Sequence, residues 1–230
     1  MEVQISLREA SFLYRMQCLL AFLDRRGYYK LSRSIVSFCI EPKSFIKMLW
    51  QYPLGAFYKP FKLNYKAPIT LFLHGNHHNP AAFHGLIRYL KKRGLASFFA
   101  VKLPSGEVTE RDFLVVQEKL KAIRKAYADR GASFTYQIVG HSRGAEVGSL
   151  FLGDPELVKL ICLGTPISTL CAPPEEEKLF EIDGHKDVLV LERSLARHRA
   201  SFNLGHIGLL YSERVFSQVY RWLSNSFTSL

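Results

Sequence analysis

The residues best suited to chemistry lie between Phe134 and Leu152, a stretch centred on Gly140-His141-Ser142-Arg143-Gly144. This is a G-x-S-x-G match, and its context gives it weight: an apolar, β-branched run precedes it, and Ala145, Gly148 and Phe151/Leu152 follow at helical spacing. A strand that turns abruptly into a helix holds the residue at the joint in a strained conformation. Glycines two positions to either side let the two segments pass without collision. Ser142 is then pushed out at the carboxyl edge of a sheet, where unpaired N–H groups of the helix start can meet a developing negative charge. A serine hydroxyl is a poor nucleophile until a base takes its proton, and an imidazole base needs a third group to fix its tautomer and stabilise its cation.

The elements that must position these groups follow in order. Ile69 to Leu73 is an apolar run with one Thr that reads as a strand buried on both faces, with His74-Gly75-Asn76-His77-His78-Asn79-Pro80 after it. Phe83, Leu86/Ile87 and Leu90 predict a helix closed by Gly94, and Ser97 to Leu103 predicts a second strand. Thr109-Glu110-Arg111-Asp112 resembles a capping box ahead of a helix carrying Phe113, Val116, Leu120, Ile123 and Tyr127, stopped by Gly131. Strands are expected over Val158 to Leu163 and Leu179 to Ile182, and a last helix begins at Ser212-Glu213. Strand and helix alternate from residue 68 onward, the pattern of an α/β chain whose parallel sheet is covered on both sides, with its sites at the carboxyl ends of the strands.

Five motifs in this order are similar to those of the α/β-hydrolase fold, in its lipase and esterase branch. They are Leu73-His74-Gly75-Asn76, the Ser142 pentapeptide, Leu163-Gly164-Thr165-Pro166, Gly184-His185-Lys186-Asp187 and Gly205-His206-Ile207-Gly208. The resemblance covers residues 67 to 230 and is silent on residues 1 to 66. It implies a three-layer α/β-hydrolase with a mostly parallel sheet, here as one domain carrying an N-terminal basic, mainly helical extension. The family's chain order, serine then acid then histidine, fits Ser142, Asp187 and His206. Asp183 is the alternative acid, closer to its strand and suited to shaping a turn with Gly184. The resemblance also implies an oxyanion hole made by the backbone N–H groups of Asn76 and Arg143, supported by His74, Gly75, Gly140 and Gly144. Arg143 is a cation in the first turn of a helix, against the dipole, so its side chain calls for an acidic partner or an anionic substrate.

The 48% apolar and 22% charged content is that of a soluble globular protein. Of the net charge of +11, residues 1 to 66 hold 11 Lys/Arg against 4 Asp/Glu, a bias that suits an anionic membrane surface better than a nucleic acid partner, which is not expected. Phe12, Met16, Leu19 and Leu23 recur at helical spacing, in a stretch too short to span a bilayer and without a signal-peptide cleavage site. Short helices are expected near 31 to 39 and 43 to 50, followed by Lys interleaved with aromatics up to Tyr65. Cys18, Cys39, Cys162 and Cys171 show no C-x-x-C spacing and read as free thiols of a cytoplasmic, reducing compartment.

His74, His77, His78 and His84 make a histidine-dense loop, but neither cysteine nor paired carboxylate accompanies them, so no metal and no cofactor is expected. Arg193, Arg197, His198 and Arg199 could bind a phosphate on an anionic substrate. The loops 76 to 85, 103 to 111, 164 to 178 and 191 to 204 are expected to wall the pocket. The expected function is hydrolysis of a carboxylic ester, lipid or anionic, through an acyl-enzyme. The same triad could serve a thioesterase or an acyltransferase, and the basic N-terminus could instead mark a membrane-associated binding protein on a non-catalytic hydrolase fold.

Overall fold

A computed structural model describes residues 39–51, 53, 63–76, 78–104, 106–167, 176–190 and 196–225. The expected helix carrying Phe12 to Leu23 and most of that near 31 to 39 lie outside the described residues. Helix α1, Pro42–Gln51, corresponds to the one expected over 43 to 50.

Six strands form one sheet in the order β2-β1-β3-β4-β5-β6, and every neighbouring pair is parallel, where a mostly parallel sheet was expected. They are β1 Ile69–Leu73, β2 Phe98–Val101, β3 Tyr136–His141, β4 Leu157–Leu163, β5 Leu179–Gly184 and β6 His198–Phe202. β1, β3 and β5 are buried at every position, as strands covered on both faces should be. A 3-10 turn, Pro80–Phe83, capped by the Asn79 side chain on the Ala81 N–H at 2.9 Å, leads into α2, His84–Lys91. The next helices are α3, Glu110–Ala128, α4, Arg143–Ser149, and α5, Glu213–Ser224.

The helices divide between the two faces, giving three layers. Val116, Leu120, Ile123 and Tyr127 of α3 join Ala145 and Val147 of α4 in one core against β1, β3 and β4. Leu86, Ile87 and Leu90 of α2 join Val215, Val219 and Leu223 of α5 in the other. The chain reverses its direction of travel across the sheet between β1 and β3, and a crevice opens beyond the carboxyl ends of strands at such a switch point. The loops after β1 and β3 carry His74-Gly75 and Ser142.

One strand departs from the sequence reading. The segment 191 to 204 was expected to be a loop, yet its residues 198 to 202 form the edge strand β6, with alternating half-buried and exposed residues. The described members of the expected phosphate cluster, Arg197, His198 and Arg199, stand at the amino end of β6, where His198 pairs with Phe180. From His198 to the carboxyl end of the strand at Phe202 is four residues, about 13 Å. His198 stacks on the Phe180 ring at 4.5 Å, and Arg197 pairs with Glu177 at 3.7 Å in solvent. These three residues are therefore placed away from the rim; Arg193 lies outside the described residues.

Candidate active site

Ser142 has φ 52° and ψ −129°, the single positive φ outside glycine among the described residues. Its N–H donates to the Leu163 carbonyl of β4 at 2.9 Å, and its carbonyl accepts from Ala145 at 2.8 Å, so the turn is tied to both the sheet and α4. The flanking glycines are required by contact. A Cβ on Gly144 would stand 2.0 Å from the Leu73 carbonyl oxygen, and one on Gly140 would stand 2.5 Å from the Ala145 Cα. The sequence therefore builds a strained elbow with Ser142 at its tip.

The loop after β1 comes up against this elbow: a Cβ on Gly75 would lie 2.9 Å from the Ser142 Cβ. His74 fixes that loop. Its Nδ1–H donates to the Gly75 carbonyl at 2.9 Å, and its Nε2 accepts from the Leu103 N–H beyond β2 at 3.0 Å. Burial holds its pKa below the ordinary value, so the ring stays neutral and keeps this tautomer. Asn76, the other expected oxyanion donor, follows with its side chain in solvent.

Asp187 and His206 meet across two loops. The N–H groups of His185 and Lys186 donate to the carbonyls of Phe202 and Leu204, at 2.8 and 3.0 Å, which draws the loop after β5 beside the loop after β6. The His206 Nδ1 lies 2.6 Å from Asp187 Oδ2, while Oδ1 accepts the N–H groups of Leu189 and Val190 at 2.9 and 3.1 Å. Asp187 is 4% exposed and held by three donors, which orients the imidazole. The alternative acid, Asp183, accepts instead from the Ser201 hydroxyl of β6.

His206 and Ser142 share the same rim. A Cβ on Gly164, which follows the strand that hydrogen-bonds Ser142, would stand 3.1 Å from His206 Nδ1. The ring of His141, adjacent to Ser142, lies 4.7 Å from the His206 ring, and its Nε2–H donates to the His206 carbonyl at 3.0 Å. No hydrogen bond from the Ser142 hydroxyl to the imidazole is formed among the described residues. Bonds of this kind often shorten only in the reacting complex. His141 is fully buried, and burial lowers its pKa, so it is neutral.

Arg143 has the acidic partner that its position demands. Its guanidinium is buried 2.5 Å from Asp112 of α3 and donates to the carbonyls of Pro104 and Glu107, each at 3.0 Å. The other Asp112 oxygen closes the capping box, accepting the Thr109 N–H at 2.9 Å and its hydroxyl at 3.0 Å. The side chain therefore faces the protein interior. Among the described residues, no group of three His, Cys, Asp or Glu converges as a metal site would require. Cys39 and Cys162 are free thiols, the latter buried, and Cys18 and Cys171 lie outside the described residues.

Sequence reasoning missed Glu41. Its carboxylate reaches from just before α1 to the His206 loop, accepting the N–H groups of Gly205 at 2.8 Å and Gly208 at 2.6 Å. The signal that could have pointed to it is the pair of glycines around His206. A Cβ on Gly208 would stand 1.9 Å from Glu41 Oε1, and one on Gly205 would stand 2.8 Å from its Cδ. A small cleft beside His206 is walled by Ile40, Glu41, Lys186, Val188, Leu189 and Ile207, so its described walls come from the N-terminal segment and the loops after β5 and β6. Residues 168–175 and 191–195 of the expected walls lie outside the described residues.

Solved structures share this fold. A lipase from Bacillus licheniformis matches at 12% identity over 73% of this chain and 96% of that one, with a TM-score of 0.54. A putative α/β hydrolase from Agrobacterium tumefaciens matches at 19% over 72% and 88%, with a TM-score of 0.52. An epoxide hydrolase from Vigna radiata matches at 12% over 68% and 91%, with a TM-score of 0.51. No protein-family model and no curated protein matches the sequence. The chain has the α/β-hydrolase fold.

Proposed function

We propose that the chain is a serine hydrolase that cleaves carboxylic esters through an acyl-enzyme. The observation that carries this reading is a serine at positive φ on the same sheet rim as an imidazole whose Nδ1 is held by a buried carboxylate. In this reading the proton of the Ser142 hydroxyl passes to His206 Nε2 as Oγ bonds to the ester carbonyl carbon. The N–H groups of Asn76 and Arg143 receive the oxyanion. His206 then returns the proton to the departing alkoxide, and the C–O bond breaks to leave an acyl-Ser142. Water, deprotonated by the same imidazole, releases the acid and restores the hydroxyl. Asp187 stabilises the imidazolium in both halves. No cofactor takes part.

A second proposal concerns a lipid surface. On α1, Ile46, Leu49 and Trp50 are 46%, 54% and 79% exposed, at spacings of three and four that put them on one face. Lys43 and Lys47 lie on the same helix, within a segment whose excess of Lys/Arg complements anionic headgroups. Among the described residues no helix is long and apolar enough to cross a membrane, so contact through α1 would be peripheral.

A panel of p-nitrophenyl esters graded in acyl length tests the enzymatic reading. Wild-type turnover should exceed that of Ser142→Ala by about 10⁶. A loss below about tenfold would exclude Ser142 as the nucleophile, and a wild-type chain inert to every ester would favour a binding role.

A further inference from the structure

Glu41 lies far in sequence from the groups it touches, and both its carboxylate oxygens are used. Oε1 accepts from Gly205 and Oε2 from Gly208, the residues that bracket His206 and Ile207. Two backbone donors on two oxygens suit an ionised carboxylate, because a protonated one would turn a donor toward one of them. The glycines leave the room this contact needs, and any larger residue at either position would expel the carboxylate. Burial pushes the Glu41 carboxyl above its ordinary value, while the two backbone donors and His206 act to lower it. The charged groups facing it are His206, Asp187 and, along the same cleft, Lys186.

We propose that Glu41 is a positioning residue for His206: by clamping the loop on both sides of the imidazole it fixes the ring's placement and favours the imidazolium that turnover requires. Asp187 orients the ring through Nδ1, while Glu41 holds the backbone that carries the ring. A residue of the N-terminal segment thereby completes the site of the hydrolase core. The claim about turnover rests on the serine hydrolase reading, whereas the claim about the His206 environment does not.

The test titrates the His206 ring by NMR in the full-length chain, alongside the rate of Ser142 labelling by a fluorophosphonate. Glu41→Gln should lower the His206 midpoint, as expected on losing an anion that faces the ring along the same cleft. It should also slow labelling by about 10- to 100-fold through misplacement of the base. Glu41→Asp keeps the charge and should restore most of the midpoint. Gly208→Ala, which displaces the carboxylate from the other side, should reproduce Glu41→Gln and serves as the second route should that variant fail to fold. An unmoved midpoint overturns the proposal, as does an unmoved labelling rate in a chain whose wild type labels. A wild type that never labels, with the midpoint still shifted, sinks the hydrolase reading and leaves the link from Glu41 to His206 standing.

Discussion

Arg143 carries two demands at one position: its N–H serves the site in the proposed mechanism, and its side chain anchors the elbow helix to α3. The anchoring contact with Asp112 is buried at both ends, 3% and 0% exposed, so removing one partner strands a charge in the interior. Asp112→Ala should lower unfolding free energy by about 3–5 kcal/mol in urea titrations. Arg143→Met with Asp112→Ala together should cost less than the sum of the single changes, because neither charge is then left alone. The two carboxylates after β5 also separate cleanly. Asp187→Asn should cut ester turnover by about 10⁴, the loss typical when the histidine's tautomer is no longer fixed. Asp183→Asn, which disturbs the contact with Ser201, should stay within about tenfold of wild type. Equal losses from the two would remove the distinction drawn between them.

At the scale of elements, α1 joins the two proposals, since Glu41 precedes the helix and its apolar face looks outward. Trp50 and Trp222 are the two tryptophans, so a Trp222→Phe chain reports on α1 alone. Its emission should shift to shorter wavelength with anionic vesicles, and the shift should weaken as salt is raised. Trp50 emission blind to anionic vesicles would end the lipid-surface proposal. How much of this was legible depends on the range of the contacts. β1 was readable to the residue because a strand buried on both faces leaves an apolar run, here with one Thr, between Pro68 and His74. The elbow was readable because its glycines are forced by local backbone contact. β6 was hidden because an edge strand tolerates His198, Arg199 and Ser201, and charge reads as loop. Glu41 and the identity of Arg143's acidic partner, Asp112, were hidden for another reason: each contact joins residues far apart in sequence, and spacing cannot report a contact that only the fold creates.

For the whole molecule, acid should act through buried imidazoles. Burial lowers the pKa of both His74 and His141, so the fold keeps them neutral while the unfolded chain protonates near the ordinary 6.5. The stability they supply is complete above that value and is lost as pH falls through it toward their folded values. Each histidine contributes up to about 1.4 kcal/mol per pH unit. Glu41 works in the opposite sense near its ordinary 4.5, because its raised carboxyl takes up a proton in the fold first. Urea midpoints should therefore decline from pH 7.5 to pH 5, and His74→Gln should flatten the decline; a flat wild-type profile would contradict it. In the proposed mechanism Ser142 is a nucleophile made reactive by His206 and Asp187. Fluorophosphonate labelling of the full-length chain, with the modified residue located by peptide mass, tests it most directly. The adduct should sit on Ser142, vanish in Ser142→Ala and form far more slowly in His206→Ala. A wild-type chain that takes up no probe, or takes it up on another serine, would contradict the claim.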